Sequence, residues 1–273
     1  MKEIVIKVAI LSMYSKPDAA GLNNIKQVLD GQSGKYRSVK WEYAVFDVRF
    51  ANHHPDPADF DVYISTGGPG DPHDGEGEEW ERLYFQFLER MYRQDFPDKR
   101  PKFLFSICHS FQLLCRHFEI AAVTRREGKA RFGVFPCSKQ AAGKSDALFN
   151  QLSDPFLMVE NRSWQCIPVE QDRLNRLGIK VLATENQDPA TALLALRITP
   201  NWIGTQFHPE AGITSMRQQY QNDQKRVDSN NGEGKWEELM KKLESLNPSL
   251  DQTHETLLPG FLQTAADIII SNQ

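Results

Sequence analysis

Apolar residues recur along this chain in two rhythms. Short runs rich in Val, Ile and Phe occupy Ile4 to Ser12, Val39 to Val48, Val62 to Ser65, Phe103 to Ile107, Ile179 to Ala183, Ala192 to Ile198 and Trp202 to Phe207. Each has strand length and strand composition. Between them the spacing changes. Trp80, Leu83, Tyr84, Phe87, Leu88 and Met91 fall on one stripe of a helix, and such a stripe needs a sheet to cover it. Further helices are predicted over Ala19 to Leu29 and from His109 to Phe118. Strands alternating with helices through short links predict an α/β fold, a mostly parallel sheet with helices on both faces. Reactive groups then collect at the carboxyl ends of the strands.

Beyond Glu210 the pattern changes. Gln218 to Gly234 is rich in Asn, Asp, Gln and Lys and reads as a surface loop, and helical spacing returns over Lys235 to Leu246 and Pro259 to Ile270. The expected division is a main domain over 1–212 and a C-terminal loop and helical extension over 213–273, packed on the same domain.

Composition narrows the function classes. The 273 residues are 40% hydrophobic and 25% charged, close to the average for soluble globular proteins. A net charge of -4 provides no general attraction for nucleic acid. Arg125, Arg126, Lys129 and Arg131 form a local basic cluster that reads as a solvated loop. The apolar start, Ile4 to Leu11, is interrupted by Lys7 and reads as a first strand, not a signal peptide or membrane anchor, so a cytoplasmic location is expected. The four cysteines, Cys108, Cys115, Cys137 and Cys166, have no Cys-x-x-Cys spacing, and free thiols are expected. His53, His54, His73 and Asp74 lie in loops without a metal-ligand spacing. Neither a metal nor a cofactor is expected.

Three segments carry candidate chemistry. The run Phe103-Leu104-Phe105 stops at Ser106-Ile107-Cys108 and a helical stretch follows directly, which is the layout of a nucleophile elbow. A thiol there is exposed at the sheet edge and faces the positive end of the helix dipole. About a hundred residues later comes Gln206-Phe207-His208-Pro209-Glu210. Residues two apart in an extended segment point the same way, so His208 and Glu210 project together as a base and the group that orients it. The third segment, Thr66-Gly67-Gly68-Pro69-Gly70-Asp71-Pro72, follows a strand with glycines that let backbone amides turn toward a developing negative charge. The backbone N–H groups of Gly68 and His109 are the candidate oxyanion donors.

Thr66 to Pro72, Ser106 to Gln112 and Gly204 to Glu210 resemble, in order and spacing, the three signatures of class I glutamine amidotransferase domains, and look closest to stand-alone domains related to that of GMP synthase. The resemblance implies the α/β fold above, a flavodoxin-like sheet, and a Cys108-His208-Glu210 triad that releases ammonia from glutamine. It also implies Gln112 as a contact to the substrate's amino-acid end, and a separate ammonia-accepting synthetase as partner. Two segments depart from the family pattern. Ser106 and Ser110 stand where the elbow has glycine, so their hydroxymethyl groups either crowd the turn or add hydrogen bonds. Asn161 and Arg162 stand where many members carry a Ser-His or Trp-His pair, and the Arg162 guanidinium suggests a ligand with an extra carboxylate. Glutamine hydrolysis, γ-glutamyl conjugate hydrolysis and a catalytically silent binding module all stay open.

Overall fold

In β1 (Ile4–Ser12) the side chains divide between two cores. Ile6, Val8 and Ile10 join one buried cluster, while Ala9 and Leu11 join another on the opposite face. A strand covered on both faces must be apolar throughout, which is why this segment reads as a continuous run and not an alternation. The computed structural model describes residues 3–35, 39–94, 100–127, 130–186, 191–222, 224–231, 234, 236–245 and 247–272.

Next in chain order come α1 (Ala20–Asp30), β2 (Val39–Asp47), β3 (Val62–Ser65), α2 (Glu79–Arg93), β4 (Phe103–Ile107) and α3 (His109–His117). Then follow β5 (Ala121–Arg125), β6 (Arg131–Lys139), α4 (Ala141–Ser145), β7 (Phe156–Arg162), β8 (Trp164–Val169), α5 (Gln171–Leu177), β9 (Lys180–Thr184), β10 (Leu193–Thr199) and β11 (Trp202–Thr205). Among the described residues, nine strands form one sheet in the order β2-β1-β3-β4-β11-β10-β9-β6-β7, and β5 pairs with β8 in a small second sheet. From β2 to β11 every neighbouring pair is parallel. From β11 outward to β7 every pair is antiparallel. The α/β class expected from the sequence holds, with an antiparallel wing added to the parallel half.

Helices cover both faces. Tyr84, Phe87, Leu88 and Met91 of α2, Phe111 and Leu114 of α3 and Leu174 of α5 share one core with Leu104 and Trp202. On the other face Leu22, Ile25 and Leu29 of α1 meet β1, β3 and β4. The C-terminal segment supplies α6 (Ile213–Asn222), α7 (Gln224–Asn231), α8 (Trp236–Ser245) and α9 (Asn247–Ser271). The α9 helix is part of the main core. Leu257, Leu258, Phe261, Leu262 and Ala265 join the α1 face, and the Phe261 ring sits edge-on to Phe105 of β4 at 5.2 Å. Pro259 lies inside this helix, where its missing N–H removes one backbone bond; apolar anchors on both sides hold the helix against the sheet.

The stretch expected as a loop from Gln218 to Gly234 is instead helical over Ile213–Asn222 and Gln224–Asn231. Ile213, Met216 and Tyr220 recur at helical spacing and pack with Val227 on Phe132 and Val159. A narrow apolar stripe suffices where the opposite face is wet, and polar composition masked it. Among the described residues no helix is long and apolar enough to cross a membrane.

Candidate active site

Cys108 stands between β4 and α3 with φ 49 and ψ -99, a backbone region that L residues rarely adopt. Such a conformation costs on the order of 1–3 kcal/mol and persists only where its surroundings enforce it. Here Cys108 N donates to Thr205 O at 2.7 Å, and Gln112 N donates to Cys108 O at 3.0 Å. The parallel register of β3, β4 and β11 brings the carboxyl ends of all three strands to one edge. The glycine loop, the thiol and the His208 segment therefore meet there.

His208 Nδ1 lies 2.7 Å from Glu210 Oε1, and Glu210 is 1% exposed. With that carboxylate accepting the Nδ1 proton, Nε2 is the nitrogen left for exchange with a reacting group. The Cys108 sulfur also acts electrostatically on His208. Burial opposes charge on this imidazole, but the Glu210 carboxylate and then the Cys108 sulfur outweigh it and hold its pKa well above the ordinary histidine value. Gly67 marks how tightly the groups converge. A Cβ there would stand 2.8 Å from His208 Cε1 and 3.6 Å from Cys108 Cβ, so any side chain would displace the imidazole. The C-terminal helices secure the far end of this segment. His254 Nδ1 pairs with Pro209 O at 3.2 Å, and Ile213 N donates to Asp251 Oδ1 at 3.0 Å.

A cavity of about 310 Å³ opens at this edge. Gly68, Cys108, His109, Gln112, Asn161, Arg162 and His208 all line it, with Glu210 behind His208. A Cβ on Gly68 would lie 2.6 Å from Met13 O, so only glycine fits. Thr66 Oγ1 accepts from Met13 N at 2.9 Å and anchors the loop to the end of β1. His109 opens α3, and a first-turn N–H has no acceptor within its own helix. The His109 ring is held by burial, and then by Arg49 and Arg116, at a pKa of about 3. Its Nε2 lies 3.4 Å from Arg49 Nη1.

The serine at the helix side of the elbow adds hydrogen bonds. Ser110 Oγ donates to Thr66 O at 2.5 Å and accepts from Ser65 Oγ at 2.8 Å. Ser65 Oγ is also 2.9 Å from the Tyr84 hydroxyl on α2. Burial pushes the Tyr84 pKa up to about 12, so the phenol stays protonated and available as a donor. Ser106 Oγ, by contrast, is buried without a hydrogen-bond partner among the described residues. The hydroxyls of Ser65, Ser110 and Tyr84 tie α2, α3 and the glycine loop together around Cys108.

The facing wall carries full charges. Arg162 Nε donates to Glu160 Oε1 at 2.5 Å, Nη2 to Glu185 Oε2 at 3.0 Å and Nη1 to Trp164 O at 3.1 Å. Arg126 Nη1 reaches Glu185 Oε2 at 2.7 Å, and Arg131 pairs with both Glu160 and Glu185. Burial works against ionisation of Glu185, but Arg126, Arg162 and Arg131 hold its pKa at about 2. Two expectations change. Arg126 and Arg131 are structural ion-pair partners and not members of a solvated loop; Arg125 is exposed, and Lys129 lies outside the described residues. The guanidinium of Arg162 lines the cavity with each of its three nitrogens already engaged. Glu160 and Glu185 gave no signal as single acidic residues in strand-like text.

Gln206 was legible only as part of its phrase, yet its Nε2 donates to Cys108 Sγ at 3.7 Å. Away from the cavity, His54 pairs with Asn52, and His73 with Glu76 and Val123 O. Among the described residues, no group of three or more His, Cys, Asp or Glu side chains is placed to hold a metal ion.

The fold recurs in solved structures. A glutamine amidotransferase from Thermotoga maritima aligns with TM-score 0.67 at 13% identity, covering 97% of this chain and 98% of its own. A glutamine amido transferase from Methylobacillus flagellatus aligns at 0.63 and 14% identity, covering 99% and 95%. The glutaminase domain of Trypanosoma brucei CTPS, with bound acivicin, aligns at 0.60 and 13%, covering 96% and 94%. No curated protein matches the chain in sequence. The family model for class-I glutamine amidotransferases, however, matches residues 22–226, three quarters of the length, and this chain belongs to that family.

Proposed function

We propose that the protein hydrolyses the side-chain amide of glutamine through a Cys108-His208-Glu210 triad. The observation that carries this reading is the strained Cys108 elbow beside an imidazole that Glu210 holds at 2.7 Å. The thiolate of Cys108 attacks the amide carbon, and the C=O electron pair moves onto oxygen, where the Gly68 and His109 N–H groups stabilise it. His208 protonates the amide nitrogen, the C–N bond breaks, and ammonia leaves a γ-glutamyl thioester on Cys108. Water then gives a proton to His208 and attacks the thioester carbon. The C–S bond breaks, releasing glutamate and restoring the thiolate and imidazolium. Gln112 and Asn161 contact the amino-acid end of the substrate. The step needs no cofactor. The ammonia serves a separate synthetase, and the reaction belongs to the cytoplasm.

Glutamine is favoured over a conjugate bearing another carboxylate because Arg162, the group that would receive it, is engaged with Glu160 and Glu185. A diazo-ketone glutamine analogue should label Cys108 stoichiometrically, and glutamate release should fall by on the order of a thousandfold or more in Cys108→Ala. Absence of both labelling and release in the folded wild type would instead indicate a binding module.

A further inference from the structure

We propose that Gln206 is a positioning residue for the nucleophile, its carboxamide holding the Cys108 sulfur with one N–H and linking that sulfur through its oxygen to Gln112. The inference rests on the reading of Cys108 as nucleophile. Gln206 follows Thr205, whose carbonyl receives the Cys108 backbone N–H at 2.7 Å. Its own N–H donates to Leu194 O on β10 at 2.8 Å. The backbone is therefore clamped on both sides, and the side chain is wholly buried.

The carboxamide is used at both ends. Oε1 accepts from Gln112 Nε2 at 3.1 Å and from Cys166 Sγ at 3.9 Å. Nε2 faces Cys108 Sγ at 3.7 Å. An acceptor already serving two donors leaves the amide's N–H side to the sulfur. A hydrogen bond to an ionised acceptor is about twice as strong as a neutral one, so this donor acts most on the thiolate. It favours the sulfur that attacks and the sulfur that leaves the thioester. Gln112 adds a second consequence. It lines the cavity, and a ligand that engages its amide alters what Gln206 Oε1 receives. Occupancy of the cavity is thereby transmitted to the sulfur through one buried side chain.

The test is the rate of Cys108 alkylation by iodoacetamide from pH 5 to 10, followed by peptide mass spectrometry, in wild type, Gln206→Met and Gln112→Met. Methionine preserves much of the volume and removes the donor. Gln206→Met should slow alkylation about tenfold near neutral pH, the scale of one hydrogen bond to a charged group, and move the rate–pH curve to the alkaline side. Gln112→Met should move it the same way by about two- to threefold. In turnover, Gln206→Met should lower kcat more than it raises KM. Coincident alkylation curves for wild type and a folded Gln206→Met protein would overturn the proposal. Should Gln206→Met not fold, an unchanged curve in Gln112→Met does the same. Alkylation requires no glutamine turnover, so a failure of glutamine hydrolysis leaves this test readable on its own.

Discussion

On the parallel side of the cavity Ser65, Ser110, Thr66 and Tyr84 close a neutral network in which hydroxyls both give and accept, whereas on the antiparallel side three guanidinium groups enclose two carboxylates. Both networks stiffen a wall of the same cavity. They differ in what a single loss leaves behind. A missing hydroxyl leaves a neutral group that can turn toward another partner. A missing carboxylate leaves buried positive charge. The neutral wall lies beside the sulfur, so the charges acting most directly on the His208 imidazole are the Glu210 carboxylate and the sulfur itself. Across the cavity, around Arg162, the charges are paired into a cluster, while Arg49 and Arg116 act on His109.

Breaking the charged wall should have the largest effect. Glu160 is fully buried, and Glu160→Leu strands Arg162 with fewer counter-charges. A loss of about 3–5 kcal/mol is expected in urea unfolding, with Glu160→Gln losing less because it still accepts from Arg162 Nε. If Glu160→Leu unfolds at the same urea concentration as wild type, the cluster is not the support described here.

His109, at the base of the neutral wall, sharpens the comparison through pH. Its folded-state pKa, about 3, lies below the ordinary 6.5, so as pH falls the unfolded chain takes up the proton first. The stability carried by neutral His109 is full above pH 6.5 and drains as pH falls toward 3. The slope is about 1.4 kcal/mol per pH unit at most. His109→Gln should flatten the fall in unfolding free energy between pH 6 and pH 5, where few carboxylates titrate. An equal slope in both proteins would show that the ring protonates freely in the fold.

The smallest effect belongs to the hydroxyls. Tyr84→Phe removes one donor but leaves Ser65 bonded to Ser110, and about 1 kcal/mol should be lost. Ser110→Gly should cost a similar amount, while glutamate release stays within a few-fold of wild type because the Cys108 turn remains. A large loss of release in Ser110→Gly, with the fold intact, would mean that the hydroxyl takes part in the chemistry.

Much of this molecule was readable before any coordinates. The seven strand runs and the α2 stripe are local patterns, and burial on both faces makes such runs conspicuous. The order of glycine loop, elbow and His-Pro-Glu phrase made the candidate site legible, because strand ends, sharp turns and short spacings are local requirements too, and the three segments do meet at one sheet edge. The strands β6 and β7, the partners of Glu185 and the helices after Ile213 were harder. Their reasons lie in residues far along the chain. Tyr220 needs Phe132 to make its stripe a buried one, and Arg162 needs Glu185 to turn a candidate ligand-binding guanidinium into a structural one.

The amino-acid sequence by itself determined the alternating α/β pattern, the strained cysteine between strand and helix, and the pairing of His208 with Glu210, since each follows from short-range sterics and periodicity. Only the tertiary structure decided which donors were already taken. Whether Ser110 crowds or binds, whether Arg162 is open to a ligand, and whether Gln206 meets sulfur or solvent depend on groups brought together by packing, and a hydrogen bond or ion pair acts only over a few ångströms.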